Sequence, residues 1–162
     1  MVRRNDEAKK VSVIAFLEDD GGRARAGYKG HAGDCVVRAI AIATQQGYQA
    51  VYDELFQLNK LTRSGKRGDS TTPRDGNTSK KTIRKYMEGL GWVWTPTMGI
   101  GTGCTIHLSA SELPPGRLVV SLSKHLAAVV DGVLHDTHDC SRKGTRCVYG
   151  YWTIPGLNND SA

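Results

Sequence analysis

GDCVVRAIAIAT, residues 33–44, is the stretch on which the fold turns. From Val36 onward it is apolar on nearly every side, the pattern of a helix buried all round. Asp34 is a residue type that caps helix N-termini, which places Cys35 in the first turn, where unpaired backbone N–H groups and the helix dipole favour negative charge. Such a position lowers a thiol pKa, and the thiolate is the form that attacks carbonyls. Taken alone, Cys35 reads as readily as a small apolar core residue.

Working outward, GYKGHAGD (27–34) is rich in turn formers and leads into this helix. Upstream, Val11 to Leu17 (VSVIAFL) is β-branched and aromatic enough for a strand, and the charged segment 1–10 is expected to be flexible. Downstream, Tyr48, Val51, Tyr52, Leu55 and Phe56 form one apolar stripe, which predicts a helix from Tyr48 to Leu58. Leu61 to Thr78 is almost free of apolar residues and is expected to be a mobile surface loop. Ser79 to Leu90 then predicts a helix capped by Thr78 or Ser79, with Ile83, Tyr86, Met87 and Leu90 inward. The rest reads as strands: Trp92–Thr97, Cys104–Leu108, Arg117–Leu122, Leu126–Val130, Val133–Thr137 and Cys147–Ile154. Helices first and strands afterwards define an α+β fold, a buried central helix packed against a C-terminal antiparallel sheet, in one domain over 11–155 with a flexible tail at 156–162.

The chain has 162 residues, 39% of them hydrophobic, enough for one core. It has no run of about 18 apolar residues, and its first apolar stretch is short for a signal peptide, so a soluble, cytoplasmic protein with no membrane partner is expected. In that setting the four cysteines are expected to be free thiols. The net charge of +6 favours acidic partners or polyanions. No aromatic-plus-basic recognition motif accompanies it, which leaves nucleic acid a minor alternative.

The second informative stretch is SKHLAAVVDGVLHDTHD, residues 123–139. Asp131-Gly132 between two apolar runs is a strong hairpin signal, and a two-residue loop there pairs Val130 with Val133, Ala127 with Asp136 and His125 with His138. His125 and Asp136 then become diagonal neighbours on one polar face. A carboxylate beside an imidazole fixes its tautomer and stabilises the imidazolium that a thiolate needs.

A nucleophile opening a buried helix at 33–44, followed by a histidine and an acidic residue on a later hairpin at 124–139, resembles the papain-like cysteine peptidase superfamily in a small prokaryotic or phage-encoded form. The resemblance runs from about Tyr28 to Ile154. It implies a cysteine hydrolase, a peptidase or isopeptidase, with Cys35 as nucleophile, His125 as base and Asp136 orienting the histidine, acting on a protein or peptide substrate without a cofactor. The chain departs from the family where a glutamine usually completes the oxyanion hole. Lys29 occupies that region, and Tyr28, Lys29 and His31 are the polar donors nearby. Two alternatives follow: a catalytically degenerate papain-like module that binds protein or nucleic acid, and a transglutaminase or other acyltransferase.

Other groupings weigh less. His135, His138, Cys140 and Cys147 are close in sequence, but their spacing fits no ordinary zinc motif, and no metal site is expected. Cys104 reads as a core residue of a strand, with His107 on the opposite face. Arg63, Lys66, Arg67 and Arg74 with Lys80, Lys81, Arg84 and Lys85 read as a solvated basic surface. Trp92, Trp94 and Trp152 read as core or groove-lining residues.

Overall fold

The computed structural model describes residues 13–30, 33–62, 72–74 and 78–156. The expected flexible segment at 1–10, the tail beyond residue 156 and most of the expected loop from Leu61 to Thr78 lie outside these residues. Three helices, α1 (Cys35–Thr44), α2 (Tyr48–Thr62) and α3 (Lys80–Gly89), pack beside a six-stranded sheet. The strands are β1 (Ala15–Glu18), β2 (Val93–Pro96), β3 (Arg117–Leu122), β4 (His125–Val130), β5 (Val133–Asp136) and β6 (Gly150–Thr153), in the order β1-β5-β4-β3-β6-β2. The class is α+β. No helix among the described residues is long and apolar enough to cross a membrane.

The helices form where the apolar pattern predicts them. α1 buries Val36 to Ala41 and Ala43. α3 turns Thr82, Ile83, Tyr86 and Met87 inward, and its cap is Ser79, whose hydroxyl accepts the Thr82 N–H at 3.1 Å. α2 runs four residues beyond the expected Leu58. The central strands β3 and β4 are buried on both faces. Val119, Leu126, Ala128 and Trp152 join the helices in one core, while Leu118, Val120, Val129 and Leu134 meet Leu108, Leu113, Cys140 and Val148 in a second. Irregular chain on the far face thus does for the sheet what the helices do on the near one.

Three expectations are corrected: the antiparallel sheet, the strand Cys104–Leu108, and the free thiols of Cys104 and Cys147. The sheet is mixed, because β1 joins its edge parallel to β5, with Ala15 opposite Val133 and Glu18 opposite Asp136. Side-chain periodicity is the same in parallel and antiparallel strands, so it carries no information on a partner more than 100 residues away. Cys104–Leu108 is not a strand: only an isolated bridge between His107 and Cys147 remains. Gly101 and Gly103 on the preceding turn take positive φ, and Cys104 is disulfide-bonded to Cys147. Cys104 is therefore neither a free thiol nor a core residue.

Gly150 lies on β6 where the Trp94 ring crosses the strand. A Cβ there would sit 2.3 Å from Trp94 Cζ2 and 2.8 Å from the Thr95 carbonyl oxygen. Gly150→Ala is expected to destabilise the protein by about 1–3 kcal/mol through overpacking, read from the urea midpoint. The near-ultraviolet signal of the Trp94–Trp152 pair, whose centroids are 5.3 Å apart, should change with it. An unaltered midpoint would show that Trp94 can move aside freely.

Candidate active site

Cys35 is the first residue of α1 and is half-buried. His125 is the first residue of β4, delivered by the two-residue turn Ser123-Lys124 that pairs Leu122 with His125. Asp136 ends β5, which returns from β4 through Asp131 and Gly132, both with positive φ (48° and 78°), as a two-residue hairpin of this hand requires. Val130 pairs with Val133 as the sequence predicts. His125 Nε2 and Asp136 Oδ2 are 2.5 Å apart, and the other Asp136 oxygen accepts the Thr137 N–H at 2.7 Å. The Cys35 thiol lies close enough to the same imidazole and to the backbone N–H of Leu126 for both to act on its ionisation, and Cys35, His125 and Leu126 line one groove. With Nε2 engaged by Asp136, Nδ1 is the nitrogen left to exchange a proton with sulfur.

The electrostatics follow from these contacts. Burial pushes the Cys35 thiol up, but the hydrogen bonds from His125 and Leu126 and the positive charges of His125 and Arg38 outweigh it, and the pKa falls below the ordinary thiol value. Burial alone would discharge His125; hydrogen bonding to Asp136, Cys140 and Cys35, with the Asp136 charge, instead pushes it up to about 11. Against its own burial, the Asp136 carboxyl is held below the usual range by the hydrogen bond and charge of His125, the Thr137 N–H and Arg38. The two shifts bring thiolate and imidazolium together, since the thiolate persists above a lowered pKa and the imidazolium below a raised one.

Asp34 precedes α1 as expected, but its side chain makes no capping hydrogen bond. Fully buried, the carboxylate instead pairs with Arg38 one turn along the helix, lies 3.1 Å from Arg23 Nε, and accepts the Tyr48 hydroxyl at 2.5 Å. The first-turn N–H groups of α1 are consequently not consumed by Asp34. Arg38 continues the line: its second guanidinium nitrogen is 3.7 Å from Asp136 Oδ1. Asp136, expected on a polar face, is 4% exposed. The reason is that β5 runs inside the sheet between β1 and β4, with the α1 arginine supplying the counter-charge.

Arg38, Cys140 and the Leu126 N–H are the residues that sequence reasoning missed. A signal existed for Arg38, since a lone cation in a helix buried all round needs a buried anion, and Asp34 stands at i−4. Nothing in the local sequence ties Cys140 to His125. The grouping of His135, His138, Cys140 and Cys147 is dispersed: His135 Nδ1 meets Asp19 at 3.0 Å and Cys147 is in the disulfide. His138 stays by His125, with ring centroids 5.6 Å apart. Ligand atoms of His125, Asp136 and Cys140 do fall within 4.8 Å of one another. The 2.5 Å between imidazole and carboxylate is nevertheless hydrogen-bond spacing; two such ligands on one zinc ion stand about 3.4 Å apart. Of the residues near the missing glutamine, Tyr28 donates to Gln49 at 2.8 Å and packs on Tyr48 and Tyr52, while His31 lies outside the described residues.

Cys35 and His125 open onto a groove of about 1350 Å³ whose lining includes residues of α3 and of the β3–β4 turn. Trp94 and Trp152 line it and Trp92 is in the core, as the sequence predicts. Comparison of the chain with protein-family models, curated proteins and solved structures found no match.

Proposed function

We propose that the protein is a papain-like cysteine hydrolase, a peptidase or isopeptidase working through a Cys35-His125-Asp136 triad. The observation that carries this reading is the convergence of Cys35 and His125 on one open groove, with His125 Nε2 held 2.5 Å from Asp136 and the thiol near enough to the imidazole for it to lower the thiol pKa. In this mechanism the Cys35 thiolate adds to an amide carbonyl, and the oxyanion forms beside the unconsumed N–H groups at the start of α1. The His125 imidazolium gives its proton to the leaving amine as the C–N bond breaks, leaving a thioester on Cys35. Neutral His125 then takes a proton from water, whose oxygen attacks the thioester and releases the acid; an acyltransferase would differ only in the nucleophile that takes water's place. Asp136 holds the imidazole in register throughout and stabilises its charged form.

The test is acid-quenched mass spectrometry after mixing with a p-nitrophenyl ester of a short acylated peptide. An acyl adduct on Cys35 is expected, with p-nitrophenol released in a burst followed by turnover, and both lost in Cys35→Ala. Iodoacetamide near neutral pH should modify Cys35 ahead of Cys140, which is 4% exposed. Undiminished turnover by Cys35→Ala, or an adduct confined to Cys140, would remove the assignment.

A further inference from the structure

We propose that the groove selects acidic polypeptide segments that also carry aliphatic or aromatic side chains; this rests on the hydrolase reading and names its substrate class. The groove that exposes Cys35 and His125 is also lined by Lys80, Lys81 and Arg84 of α3 and by Lys124 beside His125, and no described Asp or Glu lines it. Arg84 is already paired with Glu88 at 3.0 Å. Lys80, Lys81 and Lys124 form no ion pair with any described carboxylate. The first turn of α3 carries no acidic residue, so the positive end of its dipole adds to the two lysines instead of being offset. Cations brought to one cleft by two elements reinforce each other's field along it.

Between these charges the floor is apolar. Trp94 and Trp152 lie against each other, and Ile100 stands fully exposed on the glycine-rich turn at the rim. Trp152 is 4% exposed, tilted against Trp94 and approached by the Arg84 guanidinium 5.6 Å from its ring centroid, which leaves half-buried Trp94 as the aromatic surface of the pair. Carboxylates reaching outward to these cations, with apolar side chains between them, match this lining; a basic segment would meet unpaired like charges from both elements.

The experiment uses Cys35→Ala protein and two fluorescein-labelled peptide mixtures of one length, sharing degenerate apolar positions and carrying either Glu or Lys elsewhere. By anisotropy the Glu mixture is expected to bind about tenfold more tightly at about 0.05 M salt, and to lose most of that advantage at about 0.5 M. Adding Lys80→Glu, Lys81→Glu and Lys124→Glu should reverse the preference, and the salt dependence tests the unreversed groove should those variants fold poorly. Equal binding of the two mixtures, no binding of either, or tighter binding of an oligothymidylate overturns the proposal. Turnover of the same mixtures by protein with Cys35 intact separates the two readings. Acid-selective binding without turnover of any peptide defeats the hydrolase alone, whereas turnover indifferent to charge defeats the substrate class alone.

Discussion

Replacing His125 with alanine is expected to slow alkylation of Cys35 by iodoacetamide about tenfold at pH 7 and to abolish acyl transfer. Without the imidazolium, burial becomes the dominant influence on Cys35 and its thiol returns to or above the ordinary value. The thiolate fraction at neutral pH then falls; the more basic thiolate is intrinsically more reactive and recovers part of the lost rate, so the expected net change is about tenfold. The pH profile gives the sharper reading. With His125 present, labelling should persist to lower pH than in the variant, because the lowered pKa extends the range in which the thiolate is populated. In His125→Ala the rate should fall off below about pH 9, following the unassisted thiol. Superimposable profiles would mean that the imidazole does not charge Cys35 and would withdraw the ion pair.

The largest stability effect is expected at Arg38. Arg38→Met keeps most of the side-chain volume in α1 but leaves Asp34 and Asp136 without the cation between them. Breaking a buried pair by removing one partner costs about 3–5 kcal/mol. The low end, about 3 kcal/mol, applies here because Asp34 keeps Arg23 and Tyr48, and Asp136 keeps His125 and the Thr137 N–H. The pH dependence has a definite sign. Asp136 has a depressed folded-state pKa, so its contribution is present above the unfolded carboxylate value and is lost as pH falls through the folded one. The part of the Arg38→Met deficit that runs through Asp136 should therefore be complete above about pH 4 and close below it. Urea titrations at several pH values measure this, and Arg38→Lys should recover only part of the loss, since an ammonium lacks the fork that reaches two carboxylates. An unchanged midpoint in Arg38→Met at pH 7 would show that the carboxylates are satisfied without it.

The three helices, the Asp131-Gly132 turn and the register of β4 on β5 were legible in the residues themselves, because each rests on local chemistry: apolar spacing, a cap, or a pair of positions that must take positive φ. From that register the approach of His125 to Asp136 followed, and the place of Cys35 at a helix start followed from the turn-rich lead into α1. Only the tertiary structure decided the rest. The parallel strand β1, the Cys104–Cys147 bond, Cys140 beside His125 and the contacts of Asp34 with Arg23 and Tyr48 all join segments whose contact depends on how the chain closes on itself. The same holds for the basic residues of α3. Their helical spacing makes one exposed face, and it is the packing of α3 that brings that face into the lining of the groove containing Cys35.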